Sequence, residues 1–264
     1  MKKSVKVLVI LGSILICIGL IVVISVGFAN GWSFATIKWE NEVYESQRNT
    51  KITDIVLEFS GDALTIEPYD GETVQVVYPK SDLITTEFKL VDEKLKITST
   101  VNWYVGFMWF NRIPTTKVYI PEKLTLNYNI EVNAGALTID EGLKYGNFKL
   151  QLNAGAINAK DITCSEFNID MNAGAVSIDK LACVKFTANI SAGAFETKSL
   201  KSDTIKFNLS AGSANVKIAD KKSDYVIKTH VSAGSCNITD QSAISYKTLV
   251  VDVSAGSVNV FFDE

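Results

Sequence analysis

The sequence predicts an all-β protein, a parallel β-solenoid with coils of about 19–22 residues, preceded by one N-terminal transmembrane helix. Three observations predict it. A small-residue tetrapeptide, first met in full form as Asn133-Ala134-Gly135-Ala136, occurs seven times. Apolar and polar residues alternate on both sides of each copy. Near the start, Val7 to Ala29 forms a run of 23 residues without a charge.

That run comes first. As a helix it is roughly 35 Å long, enough to cross a hydrocarbon core of about 30 Å. Lys2, Lys3 and Lys6 precede it and no basic residue follows until Lys38, which places the N-terminus in the cytoplasm and the rest outside. Gly27-Phe28-Ala29 would serve as a cleavage site, but the run is longer than a signal-peptide core, so an uncleaved anchor is the expectation. Cys17 follows the bulky Ile16 within the span and does not fit a lipoprotein signal. The predicted organisation is a cytoplasmic tail over 1–6, the membrane helix over 7–29 and a juxtamembrane linker over 30–50. An N-terminal β region over 51–123 holds a degenerate first coil and a cap, and the solenoid repeats fill 124–264. The expected location is the cell membrane, single-pass, with an extracytoplasmic C-terminal domain.

The repeat is anchored on Gly135, Gly155, Gly174, Gly193, Gly212, Gly234 and Gly256, spaced 20, 19, 19, 19, 22 and 22 residues apart. Three residues before each glycine stand Val132, Leu152, Met171, Ile190, Leu209, Val231 and Val253. Positions five and seven before are also mainly apolar. Between them, at minus four, stand Glu131, Gln151, Asp170, Asn189, Asn208, His230 and Asp252. This period of two is a strand with one buried face. After the glycine the apolar positions shift to plus two and plus four. A slip of one residue exchanges the faces, so the chain turns a corner at the tetrapeptide. No unit buries its face alone, but stacked units do. The longer spacings put extra residues at 221–225 and 240–245, read as variable loops. Asn133, Asn153 and Asn172, then serines, stack at the corner. The final copy is expected to leave an open strand edge at the C-terminus, blunted by Asp263 and Glu264.

Before the repeats, Ser60-Gly61-Asp62-Ala63-Leu64-Thr65-Ile66-Glu67 aligns without a gap on the stretch from Asn133 to Asp140, which makes it a degenerate first coil. The segment from Val74 to Pro121 departs from the repeat and is expected to cover the N-terminal end. Within it, Trp103, Tyr104, Phe107, Met108, Trp109 and Phe110 crowd around Gly106. They are read either as a lid over the core or as an exposed contact for the membrane or a partner.

The chemistry-bearing residues are few. Three of the 26 basic residues precede the membrane run, so the exported part sets 23 against 29 acidic residues, a net of −6. That balance argues against nucleic acid. His230, the single histidine, lies in a polar outward column with no nucleophile elbow, and Asp170 and Asp252 are expected four coils apart, too far for a carboxylate pair. The glycine repeat lacks the lysine of a phosphate loop and the recurring aspartates of a calcium repeat. No enzyme activity, cofactor or metal is expected. Cys164 and Cys183 both fall nine residues after their glycine, within disulfide range if the coils stack, so they form either a bond or two stacked thiols.

The apolar N-terminus, the first-coil stretch, Val118-Tyr119-Ile120-Pro121-Glu122-Lys123-Leu124 and the recurring corners together resemble the bacterial "putative adhesin" family of membrane-anchored β-strand-repeat proteins, over about residues 50–264. The function of that family is largely unassigned. Members sit in bacterial envelopes, some beside envelope-stress regulators and antimicrobial-peptide defence systems. The resemblance implies a surface binding or sensing role and carries over no catalytic residue. The expected function is therefore a non-enzymatic extracytoplasmic binding or scaffold module. Alternatives are an accessory of an envelope-stress or antimicrobial-peptide response acting on a membrane partner, and a self-assembling surface protein. The expected partners are the membrane and an envelope protein, wall polymer or peptide ligand, with self-association possible through the open edge.

Overall fold

The structure, a computed structural model, describes residues 40–48, 50–81, 83–101 and 115–263. The expected membrane helix over 7–29 and the aromatic group Trp103, Tyr104, Phe107, Met108, Trp109 and Phe110 lie outside them. Among the described residues no helix is long and apolar enough to cross a membrane.

Among the described residues, fourteen strands form one continuous sheet that winds into a solenoid. The first coil is β2 (Asp54–Tyr69). It stacks in parallel on β7 (Thr125–Ile139), with Asp62 opposite Gly135 as the ungapped alignment requires. The stack continues through β8 (Lys144–Leu152), β9 (Ala156–Met171), β10 (Ala175–Ile190), β11 (Ala194–Leu209) and β12 (Ser213–Ile218). Buried residues change phase three times per coil. In the Gly155 coil they run Ile157 and Ala159, then Ile162 and Cys164, then Phe167, Ile169 and Met171. Each coil therefore has three short inward faces and three corners.

The core is laddered. Tyr128, Phe148, Phe167 and Phe186, each seven positions before a repeat glycine, stack with ring centroids 5.6, 5.2 and 5.8 Å apart. Aromatic contacts in offset stacks add to burial, so this column ties successive coils together.

At the N-terminal end, the coil before the first is built from two pieces. β5 (Lys94–Val101) pairs in parallel with the first half of β2, and β6 (Thr116–Pro121) with the second half. Residues 102–114 occupy the place in the sequence where other coils have the corner. Antiparallel strands then close this end. β4 (Ile84–Val91) makes a hairpin with β5, while β3 (Gln75–Lys80) covers β6. β1 (Glu40–Glu45), in the stretch read as linker, pairs antiparallel with β3.

The C-terminal end differs from expectation. The final copy, β14 (Lys247–Phe262), does not lie at the end of the stack. It pairs with β11 and β12 on one side and with β13 (Tyr225–Cys236) on the other. The order of corner glycines in space is thus Gly193, Gly212, Gly256, Gly234, and the outermost edge belongs to β13. Composition explains the inversion. Leu249, Val251, Val253, Val258 and Val260 of β14 are all buried, whereas β13 offers the half-exposed Thr229 and Cys236 at equivalent places. Fully burying a valine is worth about 1.5–3 kcal/mol, so the more apolar copy takes the position covered on both sides. Lys247 fixes the threading. Its Nζ lies 2.8 Å from Asp220 Oδ2, and the Tyr225 hydroxyl donates to the same oxygen at 2.9 Å. The two lengthened segments also meet here. Gln241 Nε2 donates to the Lys222 carbonyl at 2.8 Å, and Ser245 Oγ donates to that of Asp224.

Candidate functional site

The corner decides which side chains the stack can display. Gly155 and Gly174 have φ of +120° and +115°. A Cβ on Gly174 would lie 2.3 Å from the Gly155 carbonyl oxygen. Coil backbones touch there, and only glycine permits it. The first coil is the exception. Asp62 holds the glycine column, but pairing with the strands beneath stops at Ser60 and resumes at Leu64. The Asp62 side chain is buried there. Its Oδ2 accepts from Ser99 Oγ at 2.8 Å and from Thr116 Oγ1 at 3.4 Å, while Oδ1 has no partner among the described residues. Burial raises the Asp62 pKa despite these donors.

With the corners in register, the minus-four residues form one outward ladder in the order Glu131, Gln151, Asp170, Asn189, Asn208, Asp252, His230. All seven sequence-predicted residues are brought together. The coil inversion changes two neighbours. His230 ends the column beside Asp252, and Asp170 and Asp252 are three coil steps apart rather than four, because β14 follows β11 directly. Glu58, opposite Glu131, extends the ladder into the first coil. It was missed because the minus-four column was not extended to Asp62, although the ungapped alignment already places Glu58 there.

Amides link part of this ladder. Asn189 Nδ2 donates to Asp170 Oδ1 at 2.7 Å, and Asn208 Nδ2 to Asn189 Oδ1 at 2.6 Å. The corner asparagines do likewise: Asn153 donates to Asn133 at 2.5 Å and Asn172 to Asn153 at 2.6 Å. These bonds run along the stack and fix side-chain orientation, as in other stacked amide ladders. Beside the minus-four column, at minus six, lie Asn129, Lys149, Asn168, Thr187 and Lys206 in register. The result is a flat polar face that repeats at about 4.8 Å, the spacing of neighbouring strands. Elsewhere on the surface lysine and carboxylate alternate between coils. Lys160 meets Asp140 at 2.7 Å and Lys198 meets Asp179 at 2.6 Å, so those carboxylates are paired with ammonium groups.

Cys164 and Cys183 are opposite each other in β9 and β10 and are free thiols. The contact between them raises the pKa of Cys164 and lowers that of Cys183, so Cys183 is the member that ionises first. Among the described residues no group of three or more His, Cys, Asp or Glu side chains could hold a metal ion.

Solved structures to which the chain is similar include a "putative cell adhesion protein" from Clostridium sporogenes, at 14% identity and TM-score 0.34, covering 86% of this chain and 100% of that one. A "putative adhesin" from Bacteroides fragilis is 15% identical with TM-score 0.34, covering 85% and 98%. A "putative lipid binding protein" from Parabacteroides distasonis is 11% identical with TM-score 0.31, covering 85% and 97%. No curated protein matches the chain. The Toastrack DUF4097 family model matches residues 52–264, which takes in β2 to β14, the first coil and every repeat among them; the chain belongs to that family.

Proposed function

We propose that the protein is a non-enzymatic binding and scaffold module on the outer side of a bacterial cell membrane, anchored by residues 7–29. The observation that carries this reading is the ladder face. Seven predicted residues and Glu58 stand in one register-locked column, with bonded amides between Asp170, Asn189 and Asn208. A pre-ordered array loses little side-chain entropy on binding. Its donors and acceptors recur at coil spacing, which suits an extended polar ligand, a wall polymer or a peptide lying along the stack. The acidic exported part and the absence of a basic run argue against nucleic acid as that ligand.

The test is crosslinking in intact cells, followed by mass spectrometry of captured material. The wild-type chain is compared with the triple variant Asp170→Lys, Asn189→Lys, Asn208→Lys. A captured species that disappears in the variant identifies the ligand of this face. Identical capture by both chains refutes the assignment.

A further inference from the structure

The uncovered edge of β13 is a separate surface, though the inference rests on the same reading of the protein as a binding module. Within the stack the corners pass on main-chain acceptors at up to three positions. At minus three, the carbonyls of Leu152, Met171 and Ile190 accept from Asn172, Ser191 and Ser210, each at 2.8 Å. At minus two, Ser191 and Ser210 accept from Ala211 and Ala255 at 2.9 Å. At the glycine, Gly174 and Gly193 accept from Ala194 and Ser213 at 2.9 Å, and Gly212 accepts from Ser257 at 3.0 Å.

In the outermost coil the matching carbonyls belong to Val231, Ser232 and Gly234. Among the described residues β13 ends the strand order and pairs with no strand but β14, so no further strand covers their outer side. The preceding part of the same edge is closed. Ile227 and Gln241 exchange backbone hydrogen bonds at 2.9 and 3.0 Å, and the Thr229 N–H donates to Asp240 Oδ1 at 2.7 Å. One corner is therefore left open beside a finished edge. The apolar floor agrees. Minus-three residues are 0–3% exposed in the other repeat coils, but Val231 is 39% exposed.

The geometry restricts what can complete this corner. The occupant supplies main-chain N–H groups in extended form. Over Gly234 it carries no Cβ, because at corner spacing that atom would sit 2.0–2.3 Å from a carbonyl oxygen, as at every repeat above the first coil. A folded second copy does not meet these terms. Its repeat corners from Gly135 to Gly256 are already stacked, and its own β13 edge brings carbonyls to face carbonyls.

We propose that the β13 corner accepts an extended segment of a partner protein, containing a glycine between small residues, as one further parallel strand. Strand addition of this kind draws affinity from main-chain hydrogen bonds and selectivity from the side chains that the groove tolerates.

The test uses the full chain in detergent micelles and a dye-labelled peptide with the sequence of residues 251–260, VDVSAGSVNV, read by fluorescence anisotropy. Saturable binding is expected. It should weaken at least about tenfold when the peptide glycine becomes alanine, and similarly in the protein variant Val231→Glu. Absence of saturable binding overturns the proposal, as does equal binding of the alanine peptide. The peptide comparison stands even if Val231→Glu fails to fold. Sedimentation of the full chain is the second arm. Self-association that the peptide abolishes would place a second copy in the site and overturn the partner assignment; a chain that does not self-associate through this edge supports it.

Discussion

Replacing Gly174 by alanine puts the corner under load. Its φ is +115°, and the added Cβ would sit 2.3 Å from the Gly155 carbonyl oxygen. Close carbon–oxygen contacts in proteins begin at about 3.3 Å, so the two coils must part by about 1 Å. Parting stretches the bonds from Ala175 N–H to Gly155 (3.0 Å) and from Asn172 N–H to Leu152 (2.8 Å). Two such bonds contribute about 1 kcal/mol each, and a side chain forced into this φ region costs about 1–3 kcal/mol more. The expected loss is about 3–5 kcal/mol. Two controls isolate the cause. Asp62→Ala changes a position of the same column that already carries a Cβ, so it meets no new clash and loses only the bonds from Ser99 and Thr116, about 1–3 kcal/mol. Gly234→Ala meets an equal clash, 2.3 Å from the Gly256 oxygen, but the terminal coil can lift away. Its loss should be smaller and confined to residues 225–236, because stability in a stacked repeat is a sum of local terms. Urea unfolding followed by far-UV circular dichroism measures the totals, and hydrogen exchange locates the third effect. If Gly174→Ala lies within about 1 kcal/mol of wild type, backbone contact is not what reserves these positions for glycine.

Other outcomes follow from the same geometry. Val251→Thr places a hydroxyl in a fully buried column and should cost about 1–3 kcal/mol by urea unfolding, whereas Thr229→Val, at the half-exposed equivalent in β13, should cost less than about 1 kcal/mol. Asp62 has a folded-state pKa raised from 3.8, mainly by burial. The folded state then holds its proton longer than the unfolded chain, so this residue's contribution to stability is full below pH 3.8 and falls as pH rises through the folded value. Asp62→Asn should remove that fall, seen as a flatter dependence of thermal midpoint on pH; an unchanged slope would exclude the residue as its source. Burial raises the Asp220 carboxyl, but the Lys247 ammonium and the Tyr225 hydroxyl outweigh it and hold the pKa below the usual value. Lys247→Met should therefore destabilise β13 and β14 more than the coils before them, as read by hydrogen exchange. Of the two facing thiols, Cys183 should be alkylated first at neutral pH, and equal rates at Cys164 would contradict the shifts described.

Much of this architecture is visible in the amino-acid order because side-chain burial alternates with a period of two and the glycines mark each return of the chain. The stacked columns, the first coil at Ser60–Glu67 and the facing cysteines all follow from counting positions. The additional corners are harder to see, since no glycine marks them. Their trace is the apolar column of Ile162, Leu181 and Leu200, out of phase with the residues on either side. Coil order at the C-terminal end is hidden for a different reason. Ser210-Ala211-Gly212-Ser213, Ser232-Ala233-Gly234-Ser235 and Ser254-Ala255-Gly256-Ser257 are the same corner and can stack in any order. Only the flanking polarity separates them: Thr229 and Cys236 in one copy, Val251 and Val258 in the other. The ladder face was legible as a column, while its true neighbours, Asp252 beside Asn208 and His230 at the end, depended on the inversion.

The inserted position of β14 also bears on how the chain is completed during synthesis. Coils up to Gly212 can add one by one as the polypeptide emerges, each resting on the last. The next layer in space is a stretch made later than Tyr225–Cys236. Tyr225–Cys236 must wait beside a vacant layer until Lys247–Phe262 arrives to fill it. A chain interrupted before Lys247 would leave Tyr225–Cys236 without the layer it rests on, and so open to proteolysis. Completion of the Tyr225–Cys236 layer thus depends on a stretch made after it.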